Sequence, residues 1–198
     1  MFSLTRSTDE QMESFLKSQR EAPLSYRDEG ATRVERVPPG FRGDHHRLRI
    51  GWGPEAYTWA CEALRRWVMF ATGWTEVIPP AAGIEAGLVV AVAARHFGIW
   101  STHPARIVYV LDEETEIRRR YGFAYGTLPD HAMCGEERFL IELHVDDNSV
   151  WYDLVSFSRP RHPLAKVAYL IARSLQKRFA EDSKQAMARA MAEPRADA

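Results

Sequence analysis

The spacing of apolar and polar residues changes period twice along the chain, and those changes divide it into elements. Ser7-Thr8-Asp9-Glu10 offers a helix cap, with Ser7 and Glu10 at capping-box spacing, and Met12, Phe15 and Leu16 supply a short apolar face. This helix is expected to end before Pro23. From Pro23 to Asp44 the chain carries Pro38-Pro39-Gly40 and scattered charges, which predicts an irregular surface segment with room for one short strand. His46 to Trp52 reads as a strand of mixed face. Pro54 sits where a first-turn proline is tolerated, and Tyr57, Ala60, Leu64, Trp67 and Val68 follow at three-to-four spacing. That spacing predicts a helix packed on one side and stopped by Gly73 and Pro79-Pro80.

Beyond Pro80 the period becomes two. Leu88 to Phe97, Arg106 to Leu111, Tyr121 to Tyr125, Arg138 to Val145 and Val150 to Phe157 read as strands joined by short turns, which predicts an antiparallel sheet. Asp146-Asp147-Asn148 is a turn signal, so Arg138 to Phe157 is expected to form one hairpin. The longest apolar run, Ala86 to Ala94, is under half of the roughly 20 residues a membrane-spanning helix requires, and reads as a buried strand. After Pro160 and Pro163 the period turns helical, with Leu164, Val167, Ala168, Ile171, Leu175 and Phe179 on one stripe.

Residues 1–180 therefore read as a single α+β domain, and residues 181–198 as a charged, Ala-rich tail, helical or disordered, that Pro194 interrupts. The order of elements predicts a curved antiparallel sheet packed around a long C-terminal helix. It resembles the helix-grip architecture of the lipid-transfer (START) and plant-allergen (Bet v 1-like) type. The 198 residues include 45% hydrophobic ones, enough to build a core without a disulfide or metal staple. Twenty-six basic and 27 acidic residues leave a net charge of -1, so no global excess attracts a polyanion and no nucleic-acid partner is expected. Two cysteines, Cys61 and Cys134, and a start without an apolar signal segment point to the cytoplasm.

The chemistry concentrates between Gly122 and Phe139. Glycines interleave there with Phe123 and Tyr125, so backbone can approach on one face while the aromatics stand on the other, as a pocket wall or as ordinary core. Strand alternation sends Glu136 and Glu137 to opposite faces, which denies them a shared acid/base role unless a bulge intervenes at Gly135. Glu137 shares its face with Phe139, Ile141, Leu143 and Val145, and a carboxylate there must be hydrogen-bonded, paired or protonated. Arg159, Arg95, Tyr125 and His131 are its candidate partners, in a cavity or in a structural ion pair. His131, Cys134 and Glu137 recur at helical spacing, wrong for a loop feeding a strand, and the Asp44-His45-His46 side chains diverge on a strand. No metal site is expected, and no phosphate loop, nucleophile elbow or zincin motif calls for a cofactor.

Several pieces of the chain together resemble an uncharacterised protein family, number 0548, a domain-of-unknown-function family of bacteria and plants. They are Pro23-Leu24-Ser25-Tyr26 with Gly30-Ala31-Thr32, Gly51-Trp52-Gly53, Trp67 to Phe70 with Trp74, Gly122 to Pro129 with His131, Gly135 to Phe139, Phe157 to Pro160 and Leu175 to Phe179. Asp130, Ala132 and Met133 depart from the Gly, Pro and Glu of a typical member. The resemblance implies a shared pocket and supplies no reaction. The leading expectation is a binding protein for a small, largely apolar ligand held between sheet and C-terminal helix, with Tyr125, Thr127, His131, Glu137 and Arg159 as its polar contacts. The alternatives are a hydrolase, cyclase or isomerase using Glu137 or His131 as general acid/base, and an interaction module using the last helix.

Overall fold

The computed structural model describes residues 2–161 and 169–192. Helix α1 (Asp9–Gln19) is capped by Thr8 rather than Ser7, and the reciprocal partner is Gln11 rather than Glu10. The box slides one residue because a Gln amide oxygen accepts the Thr8 backbone N–H, at 2.9 Å, as readily as a carboxylate would. Helix α2 (Gly53–Arg65) starts with proline in its first turn, as expected, but stops before Trp67. Trp67 takes a left-handed φ of 58° and turns its indole inward to donate to the Ala82 carbonyl at 2.8 Å. A 3-10 turn at Val68–Phe70 follows.

Among the described residues eight strands form one antiparallel sheet: β1 (Phe2–Ser3), β2 (Arg42–Trp52), β3 (Thr75–Ile78), β4 (Val89–His96), β5 (Ile99–Glu114), β6 (Arg118–Thr127), β7 (Met133–His144) and β8 (Ser149–Pro160). Their order is β2-β8-β7-β6-β5-β4-β3, with β1 paired to β5. The five strands predicted beyond Pro80 are all present; β5 to β8 are longer than expected, and β4 is one residue shorter at each end. β1 and β3 are additions, each too short to impose a period on the sequence. The hairpin over Arg138 to Phe157 turns where expected, with Asn148 in a left-handed φ of 56° and the Asp147 carboxylate accepting the Ser149 N–H at 2.8 Å. Between Pro23 and Phe41 there is no strand; a 3-10 turn at Ala31–Val34 stands there instead.

Register shifts in β2, between Arg49 and Gly51, and in β5, between Ile107 and Tyr109, mark bulges of the kind that bend a sheet. On the inner face, helix α3 (Tyr169–Ala192) packs with α2 over a core containing Phe123, Phe139, Ile141, Tyr152 and Leu154. The antiparallel sheet grips the C-terminal helix, as the element order predicts. Tyr152 meets Ser183 at 2.7 Å, and the Trp74 indole donates to Asp182 at 2.7 Å. The boundary drawn at residue 180 falls within α3, where Ser183, Ala186 and Met187 are buried and Ala192 is exposed. Pro163, Leu164, Val167, Ala168 and Pro194 lie outside the described residues. Among the described residues no helix is long and apolar enough to cross a membrane.

Candidate functional site

Beneath the first half of α3 the inner face leaves a cavity of about 950 Å³. Its apolar wall comes from Phe70, Trp74, Val92, Leu154, Leu175 and Phe179. This size lies toward the upper end of the range for small-molecule sites, which are mostly apolar with a few placed polar groups. β6 and β7 supply those groups. Their register pairs Tyr125 with Glu137 and stays continuous past Gly135, so Glu136 and Glu137 face opposite ways.

Glu137 is half-buried, and its remaining exposure faces the cavity it lines. Its carboxyl accepts a 2.6 Å hydrogen bond from the Tyr125 hydroxyl. Burial drives its pKa up to about 7, with the charge of Asp44 adding to the rise and the Tyr125 hydroxyl opposing it. The same desolvation, with Glu137 beside it, holds the Tyr125 phenol well above its ordinary range. The pair is a buried, hydrogen-bonded acid that changes charge near neutrality.

His131, at the end of the loop after β6, lines the same cavity. Its Nδ1 accepts the Met133 N–H at 2.9 Å, so the neutral ring carries its proton on Nε2. Burial holds it well below the ordinary imidazole range. Its ring lies 4.8 Å from that of His103, which burial pulls down to about 4. These imidazoles give the wall polarity without charge. Thr127 also lines the cavity, but its hydroxyl serves the backbone, donating to the Gly135 carbonyl at 3.1 Å and accepting the Gly135 N–H at 2.9 Å.

Arg159 is displaced from the expected set. It is exposed, its guanidinium stacks 4.5 Å over the Phe41 ring, and it does not line the cavity. Alternation accounts for this, because β8 turns Ser156 and Ser158 toward the cavity and the residue between Ser158 and Pro160 away from it. Arg173 of α3 also lines the cavity, buried and held bidentately by Asp44 of β2. Gln176 extends this contact, accepting from Arg173 at 3.0 Å and donating to Ser158 at 3.0 Å. Sequence reasoning missed the pair because a strand residue and a helix residue so far apart in the chain carry no shared spacing signal. The triplet around Asp44 diverges as predicted: Asp44 and His46 line the cavity, while His45 meets Asp153 at 2.7 Å on the outer face.

Glu136 points outward and collects the segment that crosses that face. Its carboxylate accepts from the Tyr26 hydroxyl, the Gly30 and Thr32 N–H groups and the Thr32 hydroxyl. Since Thr32 has spent its one proton there, the Tyr109 hydroxyl donates to Thr32 Oγ1, at 2.7 Å. Gly126 makes this approach fit, because a Cβ at that position would stand 2.3 Å from the Tyr26 hydroxyl oxygen. Cys134 is buried on the same side and donates to the Ser25 carbonyl, and burial pushes the Cys61 thiol up to about 11. Among the described residues, His144, Asp146 and Asp147 offer ligand atoms within 4.8 Å of one another. They stand on the hairpin turn, where His144 already meets Glu142 and Asp147 holds Ser149.

A family model described as a domain of unknown function, DUF1990, matches residues 25–186. A protein of Deinococcus radiodurans named UPF0548 protein is 35% identical over 96% of this chain and 98% of its own length. A UPF0548 protein of Dictyostelium discoideum is 30% identical, covering 96% of each. Among solved structures, norcoclaurine synthase of Thalictrum flavum aligns with 77% of this chain and 97% of its own, at a TM-score of 0.42 and 12% identity.

Proposed function

Starting from the fact that the chain belongs to the UPF0548 family, a domain of unknown function, we propose that it binds a small, largely apolar molecule in the cavity between its sheet and α3. The observation that carries this reading is Glu137: an acid with one hydrogen-bond partner among the described residues, placed in an apolar cavity large enough for a ligand. A core would exclude such a group or saturate it, as the outer face saturates Glu136. Tyr125, Glu137 and His131 orient the ligand, and Thr127 holds the strand ends that carry them. Arg159 has no part in it.

The test is titration with the uncharged dye Nile red. A saturable fluorescence rise at one dye per chain is expected, and Ser156→Phe, which fills the space opposite Glu137, is expected to weaken binding at least about tenfold. Equal binding by both proteins would place the dye elsewhere and sink the reading.

The titration of Glu137 near neutrality favours a second reading, in which it moves a proton to or from the bound molecule. Glu137→Gln should then lose roughly 10²–10⁴ in the turnover number on an identified substrate, measured at saturation. Full activity in that variant would remove this reading and leave the first intact.

A further inference from the structure

Among the described residues the cavity's charges do not balance. Setting aside histidines and the Tyr125 phenol, the ionisable groups enclosed in it among the described residues are Asp44, Arg173 and Glu137, and Asp44 and Arg173 meet in a bidentate ion pair. Glu136 borders the same space, but its oxygens are filled from the outer face. The nearby imidazoles add nothing: His103 and His131 are neutral, and burial together with Lys184 lowers His46. Asp130, Arg161 and Lys177 sit at the rim, exposed and screened by water. Glu137 is left as an acid without a base; among the described residues no lysine or arginine pairs with it, and its partner is the Tyr125 hydroxyl.

The wall next to that acid is aromatic. Ring centroids run from Tyr125 to Phe70 at 6.3 Å, from Phe70 to Phe179 at 5.0 Å and from Phe179 to Trp74 at 6.3 Å, and all four residues line the cavity. A carboxyl group with no counter-cation, set against aromatic rings, suits an ammonium group on an apolar body. The carboxylate supplies the missing ion pair and the ring faces attract the cation. A ligand carboxylate would instead meet Glu137 and Asp44 as like charges, and an alcohol would gain a hydrogen bond only.

We propose that the ligand is a cationic amine with an apolar, ring-sized body, its ammonium paired with the Glu137 carboxylate beneath Tyr125 and Phe70. The inference rests on the cavity reading. In the free protein below neutrality Glu137 carries a proton; on binding, the ammonium enters with its own protons and the Glu137 proton passes to solvent. The complex is thus neutral at this pair, and one proton is released for each ligand bound.

Calorimetry on the full chain tests this with three probes of one skeleton: naphthalene bearing an aminomethyl, a hydroxymethyl or a carboxylate group. At about pH 6, in two buffers of different ionisation enthalpy, the amine is expected to bind at least about tenfold tighter than the alcohol, with the carboxylate weakest. Amine binding should release close to one proton and alcohol binding none. Glu137→Gln should remove the preference for the amine, weakening the amine at least about tenfold more than the alcohol. An alcohol or carboxylate that binds as tightly as the amine, or amine binding that releases no proton, overturns the inference. If Nile red enters the cavity and the amine does not, the amine assignment alone fails; if neither enters, the cavity reading fails with it.

Discussion

Two adjacent glutamates show how much a single residue's surroundings decide. Glu137 carries a folded-state pKa near 7, above its unfolded value, so the native state holds a proton that the unfolded state has lost. Its cost to stability is absent below the unfolded pKa, grows as pH rises through the interval, and is complete above about pH 7. Glu137→Gln is therefore expected to match the parent protein near pH 4 and to exceed it by about 3–4 kcal/mol near pH 8, by urea denaturation. Glu136 predicts the opposite behaviour: Glu136→Gln leaves donors facing donors in a buried site and should cost about 2–4 kcal/mol at neutral pH. Alternation along β7 made the divergence of the two side chains legible in the sequence. Their partners were legible only for Tyr125, which lies one hairpin away; Tyr26 and Thr32 stand 110 and 104 residues from Glu136, and no local pattern links them.

At the scale of elements, the segment before β2 behaves as a strap over the outer face of β6 and β7, and glycines set how closely it lies. Gly126→Ala should push against a Tyr26 that is itself fixed by Glu136 and Phe157, at a cost of about 1–3 kcal/mol. Gly83→Ala, whose Cβ would meet nothing nearer than 3.7 Å, should be close to neutral in the same urea titration. The sequence showed the interleaved glycines and aromatics but not which partner needed the room. Across the cavity, Asp44 and Arg173 join β2 to α3. Asp44→Asn removes the negative charge that helps raise Glu137, so the Glu137 midpoint should move down from about 7. NMR of the carboxyl carbons reads that shift, and an upward move would contradict the assigned electrostatics. The same contact shows the limit of the helical stripe as a guide: Ile171, Leu175 and Phe179 were read as one apolar face, while the buried arginine between them was silent.

The whole molecule follows from the order of its periods. Helix, strand, helix, a run of period-two strands and a long helix leave one economical arrangement, a sheet curved around the last helix, and the chain adopts it. What the periods could not show is that the grip is incomplete. A stripe of core-sized residues on α3 is compatible with close packing or with a roof over a 950 Å³ space, and only the packed coordinates distinguish the two. The function argued here depends on that space and on the acid that faces it. The direct test is carbon-13 NMR titration of the Glu137 carboxyl in the free chain and in the chain saturated with aminomethylnaphthalene. A midpoint near 7 is expected in the free protein, falling when the ammonium binds. A midpoint in the ordinary carboxylate range, unmoved by the amine or by Nile red, would contradict it.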